Sequence, residues 1–251
     1  MGTATKGRLI QILCGTAAAT ATVTWSGDSA DLETLTVGTR VYEFDEDVTP
    51  TITAGRVRVD ITGGKTAAAS ATAFIAAVNS DTGATVTAAT GGAGIAVLTA
   101  KVKGTGGNAL AKAEGTSNAT WDVGGGGTFF SGGADTLIAL QRGGSITFTT
   151  DMIDVTTKDD ALWKQFLPGH SEGEITCDGL LDITDTAQAS MQDAEADGTP
   201  LTVIFGLDGA SPTDFFTSTG YVSNWKANGA HDGVMDYSAT FKVTGVCALT
   251  V

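Results

Sequence analysis

The sequence predicts a mainly β protein with a few helices. Its cleanest predicted strand runs from Asp236 to Thr244, where apolar and polar residues alternate. A second alternating run covers residues 56–61. A period of two is typical of a strand with one buried face. We find helical periodicity in two stretches, Lys65–Asn79 and Asp185–Ala196, so strands dominate the predicted fold.

Other strands are predicted where the chain has short apolar or alternating runs. These are Gly7–Leu13, Ala84–Thr90, Ile95–Val102, Leu137–Leu140, Ser145–Thr150, Glu174–Leu181, Leu201–Phe205 and Gly220–Lys226. Asp185 is suited to cap the second helix and Gly198 to end it. The pair Gly143-Gly144 predicts a tight hairpin turn between two of the strands.

Small-residue and glycine-rich passages predict a chain of two domains. Gly15–Thr20 could serve as a linker, and the glycine run Gly124–Gly127 is costly to hold in regular structure. The opening strand Gly7–Leu13 has no partner of its kind nearby, so we expect it to pair with a strand of the second half. An insertion of this kind is tolerated where domain termini lie close together. The predicted domains are residues 1–14 with 136–251, and residues 15–135.

The net charge of −14 makes free nucleic-acid binding unfavourable, because phosphate recognition needs a basic surface.

The three cysteines form no Cys-x-x-Cys pair, so we expect buried free thiols at Cys14, Cys177 and Cys247. No run is long enough to span a bilayer, and we expect no secretory signal peptide, since residues 1–8 lead into only a short apolar stretch. The expected place of synthesis is a cytoplasm.

The search for an active site finds little, so we expect no enzyme, no cofactor and no metal. His170 and His231 each lie in a predicted glycine-rich turn without a third group to orient them. The acidic clusters at 45–47 and 193–197 lack EF-hand spacing and fit solvated charge runs better.

One long polar connection, Ile153–Gly169, separates two predicted strands. A loop of this length inside a domain is usually functional or disordered. The large aromatic residues Trp163 and Phe166 argue against disorder. We therefore expect this loop to dock on a partner; the alternative is an ordinary surface loop in which Trp163 packs on its own core.

The second half of the chain also carries an ordered set of short motifs. In chain order they are Ile153-Asp-Val-Thr-Thr-Lys-Asp, Trp163-Lys-Gln-Phe-Leu-Pro-Gly, Ile175-Thr-Cys-Asp-Gly-Leu-Leu, the strand Leu201–Phe205, Gly220-Tyr-Val-Ser, and a closing strand that ends in Thr244-Gly. Taken together, these motifs resemble the major tail (tail tube) proteins of long-tailed bacteriophages. The resemblance covers Leu137–Gly245 and the opening strand.

This resemblance implies a β-sandwich or partial barrel with one flanking helix. Six copies would form a ring around a lumen, and stacked rings would form the tube of the virion tail, assembled in the host cytoplasm. The expected partners are further copies of the chain, other tail proteins and DNA in transit, with no membrane insertion. The loop would reach a neighbouring copy, and the implied contact residues are Asp154, Thr156, Thr157, Lys158, Asp159 and Trp163.

Outside residues 15–135 the chain has 16 acidic against seven basic residues, a net charge of −9. We therefore expect an acidic lumen, which would keep DNA from adhering. The inserted domain carries Tyr42-x-Phe, an Ala-rich predicted helix that ends in Ala77-Val-Asn, and Gly106-Gly-Asn-Ala-Leu. These motifs resemble a small α+β domain of phage virion proteins, and the resemblance implies a domain that projects outward from the tube. The alternative function is a β-rich decoration or adhesin-like module that binds host glycan, and a hydrolase of unrecognised type is a third.

Overall fold

The structure, a computed structural model, describes residues 11–116, 118–122, 128–158, 163–207, 214–229 and 233–250. The chain divides into two compact units. One, the discontinuous unit, consists of Met1–Cys14 and Thr136–Val251, and the other, the inserted unit, is Gly15–Asp135. Strands dominate the described residues, so the mainly β class with a few helices is confirmed.

The described residues form fourteen strands, two α-helices and one 3-10 helix. In chain order they are β1 (Gln11–Trp25), β2 (Thr34–Val37), β3 (Arg40–Asp45), β4 (Val57–Asp60), α1 (Ala67–Ser80), β5 (Val86–Gly92), β6 (Ile95–Lys103), a 3-10 helix (Thr105–Ala109), β7 (Lys112–Gly115), β8 (Ala119–Trp121), β9 (Ala134–Leu137), β10 (Gln141–Asp154), β11 (Phe166–Leu180), α2 (Thr186–Asp197), β12 (Leu201–Gly206), β13 (Phe215–Asn228) and β14 (Asp236–Thr250).

The discontinuous unit is built on an antiparallel sheet in the order β10-β11-β14-β13-β12-β1, with residues 11–14 of β1 at the end. The alternation predicted for the last strand is confirmed: Tyr237, Ala239 and Phe241 are buried on one face of β14. They join one core, which α2 covers through its own buried residues. That core is Ile12, Cys14, Ile138, Ile175, Cys177, Ala187, Met191, Ala194, Leu201, Val203, Phe205, Val222, Tyr237, Ala239 and Phe241.

Both predicted ends of α2 are confirmed. The Asp185 carboxylate accepts a hydrogen bond from the Gln188 backbone N–H at 2.7 Å, which satisfies one of the free donors of the first turn. Gly198 ends the helix with a φ of 65°, in the left-handed region that suits glycine.

The predicted turn at Gly143-Gly144 is wrong, because both residues lie inside β10. A Cβ atom at Gly144 would lie 2.6 Å from Ile12 Cδ1 and 2.9 Å from the Thr176 carbonyl oxygen. Glycine is therefore needed there for close packing of neighbouring strands. The turn lies earlier, at Ala139 and Leu140, where Leu140 has a φ of 55°. The strand predicted over Leu137–Leu140 accordingly stops at Leu137.

The linker predicted at Gly15–Thr20 is also wrong, because β1 runs without a break through these residues. Small side chains are required by close neighbours rather than by flexibility. A Cβ atom at Gly15 would lie 2.1 Å from the Lys103 carbonyl oxygen, and Ala19 is fully buried. Residues 7–10 of the predicted opening strand and the glycine run 124–127 lie outside the described residues.

The inserted unit contains a four-stranded sheet in the order β4-β3-β2-β7, in which only β3 and β4 are parallel. A second set of strands pairs β1 with β6 and β8, and β6 with β5. The predicted helix is α1, and its Phe74 ring packs against three aromatic rings at centroid distances of 5.4–6.4 Å. Those three rings are Trp25, Tyr42 and Phe44.

Gln188, which is buried on α2, joins three backbone groups of the discontinuous unit. Its Nε2 donates to the carbonyl oxygens of Ala139 and Leu180, both at 3.1 Å, and its Oε1 accepts from the Asp182 N–H at 2.9 Å.

We expect Gln188→Ala to destabilise the fold by about 1–3 kcal/mol, because buried polar groups lose their partners. Urea unfolding measures this change. Gln192→Ala, exposed on the same helix, is the control and should change stability by less than about 0.5 kcal/mol; equal effects would contradict the role of Gln188.

Asp81 makes the inserted unit sensitive to acid. Arg40 donates to its carboxylate through Nε at 2.8 Å and through Nη2 at 2.6 Å, and these hydrogen bonds lower the pKa of Asp81. A carboxylate whose pKa is lowered by folding stabilises the fold above its unfolded pKa of about 3.9. This contribution is lost as the pH falls through the lowered pKa.

We therefore expect Asp81→Asn to weaken the protein at neutral pH and to reduce its further loss of stability on acidification. Urea unfolding at neutral pH and at several pH values below about 3.9 measures how much of this contribution is lost in acid. Glu195→Gln, on the exposed side of α2, is the control. If Asp81→Asn and the unmodified chain lost the same stability on acidification, this role of Asp81 would be refuted.

Candidate subunit-contact site

The loop predicted to dock on a partner is the end of a long hairpin. Strands β10 and β11 pair as far as Asp154 and Phe166, whereas β11 pairs with β14 only from Gly173 to Leu180. Beyond Gly173 the hairpin therefore continues as a two-stranded ribbon, which we call the arm (residues 148–158 and 163–172). At about 3.4 Å per residue, six residues of strand carry its tip about 20 Å from the shared sheet.

Exposed apolar side chains cover both faces of the arm. Met152 and Ile153 are adjacent in sequence and both exposed, as are Phe166 and Leu167. Adjacent residues of a strand point to opposite faces, so neither face is the buried side of a sheet. A two-stranded ribbon is marginally stable alone, and a continuous exposed apolar surface marks an interaction site. The arm therefore has the character of a surface that a partner covers.

Local hydrogen bonds fix the shape of the tip. Thr156 donates to Asp154 Oδ1 through its backbone N–H at 2.9 Å and through its hydroxyl at 2.5 Å. The Gln165 N–H donates to Thr156 Oγ1 at 3.0 Å, and the Val155 N–H donates to the Gln165 carbonyl at 2.9 Å. Lys164 Nζ lies 3.4 Å from Asp154 Oδ2. The hydrogen bonds from Thr156 lower the pKa of Asp154, which keeps the carboxylate charged within this network.

The predicted contact residues have different places in the tip. Thr156, Thr157, Lys158 and Trp163 are all exposed, and Asp154 holds the tip together. Trp163 is 82% exposed, so the alternative in which its ring packs on its own core is wrong. Asp159 lies outside the described residues.

Sequence reasoning missed the apolar residues along the arm. It ended the preceding strand at Thr150 and began the polar loop at Ile153, so Met152 was assigned to neither, and it treated Phe166 as part of that loop rather than of β11. The available signal was the pair of adjacent apolar residues in each strand, which breaks the period of two expected for a half-buried strand.

The described residues contain no group of three or more His, Cys, Asp or Glu side chains arranged to hold a metal ion. The glycine-rich turn predicted around His170 is wrong, because this residue lies in β11; His231 lies outside the described residues. None of the three cysteines forms a disulfide; Cys14 and Cys177 are buried as expected, whereas the burial expected for Cys247 is wrong, because this residue is partly exposed. Burial raises the pKa of Cys177 to about 12. Among the described helices, none is long and apolar enough to cross a membrane.

Comparison with known proteins identifies the region that contains this arm. Residues 128–248 match the family of phage tail tube proteins. This part of the chain belongs to the phage tail tube protein family. The match covers most of the discontinuous unit, including every strand from β10 to β13, so the tail tube assignment applies to the unit that carries the arm. No curated protein matches the chain.

Solved structures with a similar arrangement include two gene transfer agent particles and one phage tail tube. The tail of an empty gene transfer agent particle, refined with C6 symmetry, is 20% identical, with 52% of this chain and 92% of that chain covered and a TM-score of 0.42. A native gene transfer agent virion is 20% identical, with 47% of this chain and 89% of that chain covered and a TM-score of 0.42. The SPP1 tail tube is 12% identical, with 48% of this chain and 70% of that chain covered and a TM-score of 0.40. These TM-scores are below 0.5, so the tail tube assignment rests on the family match.

Proposed function

We propose that this protein is a structural subunit of a phage tail, and that it assembles into stacked rings that form the tail tube. The observation that carries the proposal is the family match over the unit that bears the arm. The exposed apolar surface of the arm supports contact with a further copy.

Two unpaired strand edges support lateral joining of copies within a ring. In the described strands β10 pairs with β11 alone, so its outer edge is free. Strand β13 pairs with β12 only over Phe215–Gly220, which leaves Tyr221–Asn228 unpaired on that side. Free strand edges are a liability in a single copy. Pairing the β10 edge with the β13 edge of the next copy satisfies both, and a repeated head-to-tail contact of this kind closes a ring. We propose six copies.

The exposed face of this sheet is suited to line the lumen. It lies opposite the buried Ile175, Cys177 and Phe241, and it carries Ser and Thr side chains between charged ones. The charged residues are Arg142, Glu174, Asp178, Lys226, Asp236 and Lys242. Lys242 is paired with Glu174 at 2.8 Å and Arg142 with Asp236 at 3.3 Å. Acidic and basic groups are equal in number among these residues, so the proposed acidic lumen rests on the net charge of −9 outside residues 15–135.

The inserted unit has its own core, and we propose that it projects outward, since an insertion of this size does not fit in a lumen. We also propose that the protein assembles in the host cytoplasm, contacts other tail proteins and does not insert into a membrane.

Negative-stain electron microscopy of the purified full chain tests this function. The expected result is hollow filaments of uniform width, formed spontaneously or after addition of an initiator complex from the same tail. An adhesin or decoration module would not form such filaments. Particles no larger than single rings, with the initiator present, would refute the proposed function.

A further inference from the structure

A groove opens where the arm separates from the rest of the sheet of the discontinuous unit. Strand β14 stops pairing with β11 after Val243 and continues with β13 as far as Thr250. Strand β13 in turn pairs with β12 over Phe215–Gly220, so this side remains part of the sheet. Gly245, with a φ of 80°, lies where β14 departs from β11. The groove between the arm and β14 has a volume of about 280 Å³, and we call it the fork groove.

The fork groove is apolar inside and acidic at its edge. Its principal lining residues are Phe148, Glu172, Gly173, Val243, Val246 and Cys247. Val246 is 89% exposed, and Phe148 is held by the Phe216 ring at a centroid distance of 5.8 Å. A Cβ atom at Gly173 would lie 3.1 Å from Val243 Cβ and 3.4 Å from Phe148 Cδ1. The missing side chain at Gly173 therefore lets Val243 and Phe148 approach closely at the floor of the groove.

We propose that the fork groove of one copy receives Trp163 from a copy in the adjacent ring. This inference rests on the proposed tail tube function and names the surface that receives the arm. Trp163 is the most exposed of the large aromatic side chains in the described residues. A buried aromatic anchor surrounded by a polar rim is the usual source of binding energy at a protein interface.

The occupant must come from a second copy because of the shape of the arm. Strands β10 and β11 stay paired from the groove to Asp154 and Phe166, so the tip stands about 20 Å from its own groove. The ribbon cannot bring Trp163 back without breaking these pairs. A projecting side chain and a receiving groove at different places on one chain make a contact that repeats from copy to copy.

Charge supports the same pairing. Lys164, beside Trp163, is 71% exposed, and Glu172 at the edge of the groove is 68% exposed. Glu172 makes only a loose contact of 3.9 Å with Lys242, so its carboxylate is available to a second cation. With Trp163 seated, Lys164 of the incoming tip meets Glu172, and this pairing favours one orientation of the tip.

Substitution of Val246 tests the groove directly. Val246→Glu places a charge inside it, whereas Ile183→Glu makes the same change at an equally exposed apolar residue, 89% in both cases. We expect Val246→Glu to reduce the amount of sedimentable tube by about tenfold or more, because an unpaired charge would be buried. Ile183→Glu should form normal tubes. Unchanged circular dichroism and melting temperature show that each variant is folded.

Cross-linking tests whether the tip and the groove touch. In tubes of Lys164→Cys, a short bis-maleimide should join the new thiol to Cys247 of another copy, since Cys14 and Cys177 are buried. Adding Cys247→Ser should abolish this cross-link between copies, and Ile183→Cys should not form one.

The outcomes separate this inference from the proposed function. If the unmodified chain forms no tubes, the proposed function itself fails. If the unmodified chain forms tubes and Val246→Glu forms them equally well, the fork groove is not the receiving surface. Tubes of Lys164→Cys that give no link through Cys247 would also overturn the inference.

Discussion

Replacing the arm tip should give a folded protein that forms no stacked tubes. The variant combines Trp163→Ala with serine or glycine at Thr156, Thr157 and Lys158. All four side chains are exposed, so their loss should leave the core unchanged. Loss of an aromatic anchor at an interface costs about 2–4 kcal/mol, which is about 30-fold to 1,000-fold in affinity for each contact. Because each ring contributes several contacts, we expect elongation to stop.

Electron microscopy and sedimentation measure this loss of tubes. The single substitution Ile183→Ala, at a residue that is 89% exposed and outside the arm, is the control and should leave tube length unchanged. The melting temperature should be that of the unmodified protein. Tubes of normal length from the tip variant would refute the role of the arm in stacking.

Phe241→Ala should have the opposite effect, with a large loss of stability in the discontinuous unit. Phe241 is fully buried on β14, and its neighbours across the sheet are Ile175 on β11 and Val222 on β13. Truncation of a buried phenylalanine costs about 3–5 kcal/mol, because contacts are lost and a cavity is left. Since many domains have a total stability of about 5–15 kcal/mol, a large part of the folded population should be lost on mild heating.

Thermal and urea unfolding followed by circular dichroism test this expectation. Phe166→Ala is the matched control, because it removes the same ring from an exposed position on the arm. It should change the free energy of unfolding by less than about 1 kcal/mol and impair tube assembly instead. Equal destabilisation by the two substitutions would contradict the assignment of Phe241 to the core and of Phe166 to a contact surface.

The parts of the fold that the sequence predicts well are those set by local pattern. The alternation in β14 and the cap at Asp185 each depend on residues within a few positions of one another. Glycine is different, because it suits both a turn and a close approach between strands. At Gly144 the deciding neighbours are Ile12 and the Thr176 carbonyl, which lie far away in sequence. No local pattern reports such neighbours, so the predicted turn was wrong.

The candidate site shows the same division. The exposed Trp163 could be located from the sequence because a large aromatic residue in a polar loop needs a partner. The length of the arm could not be predicted from the sequence, since it depends on where β11 separates from β14, at Gly173 and Val243. The fork groove is formed by three strands that meet only in the folded chain, and its place was therefore hidden from sequence reasoning.

In the proposed stack, the difference between the arm tip and the fork groove gives the filament a direction. A stack held by Trp163 in a groove ends on one side in empty grooves and on the other in bare tips, so the filament is polar. Growth and capping at the two ends then need unlike partners. A protein that starts the tube at one end offers only a groove or only a tip, and a protein that terminates it offers the other. Tube length can thus be controlled at each end independently, although every subunit is identical.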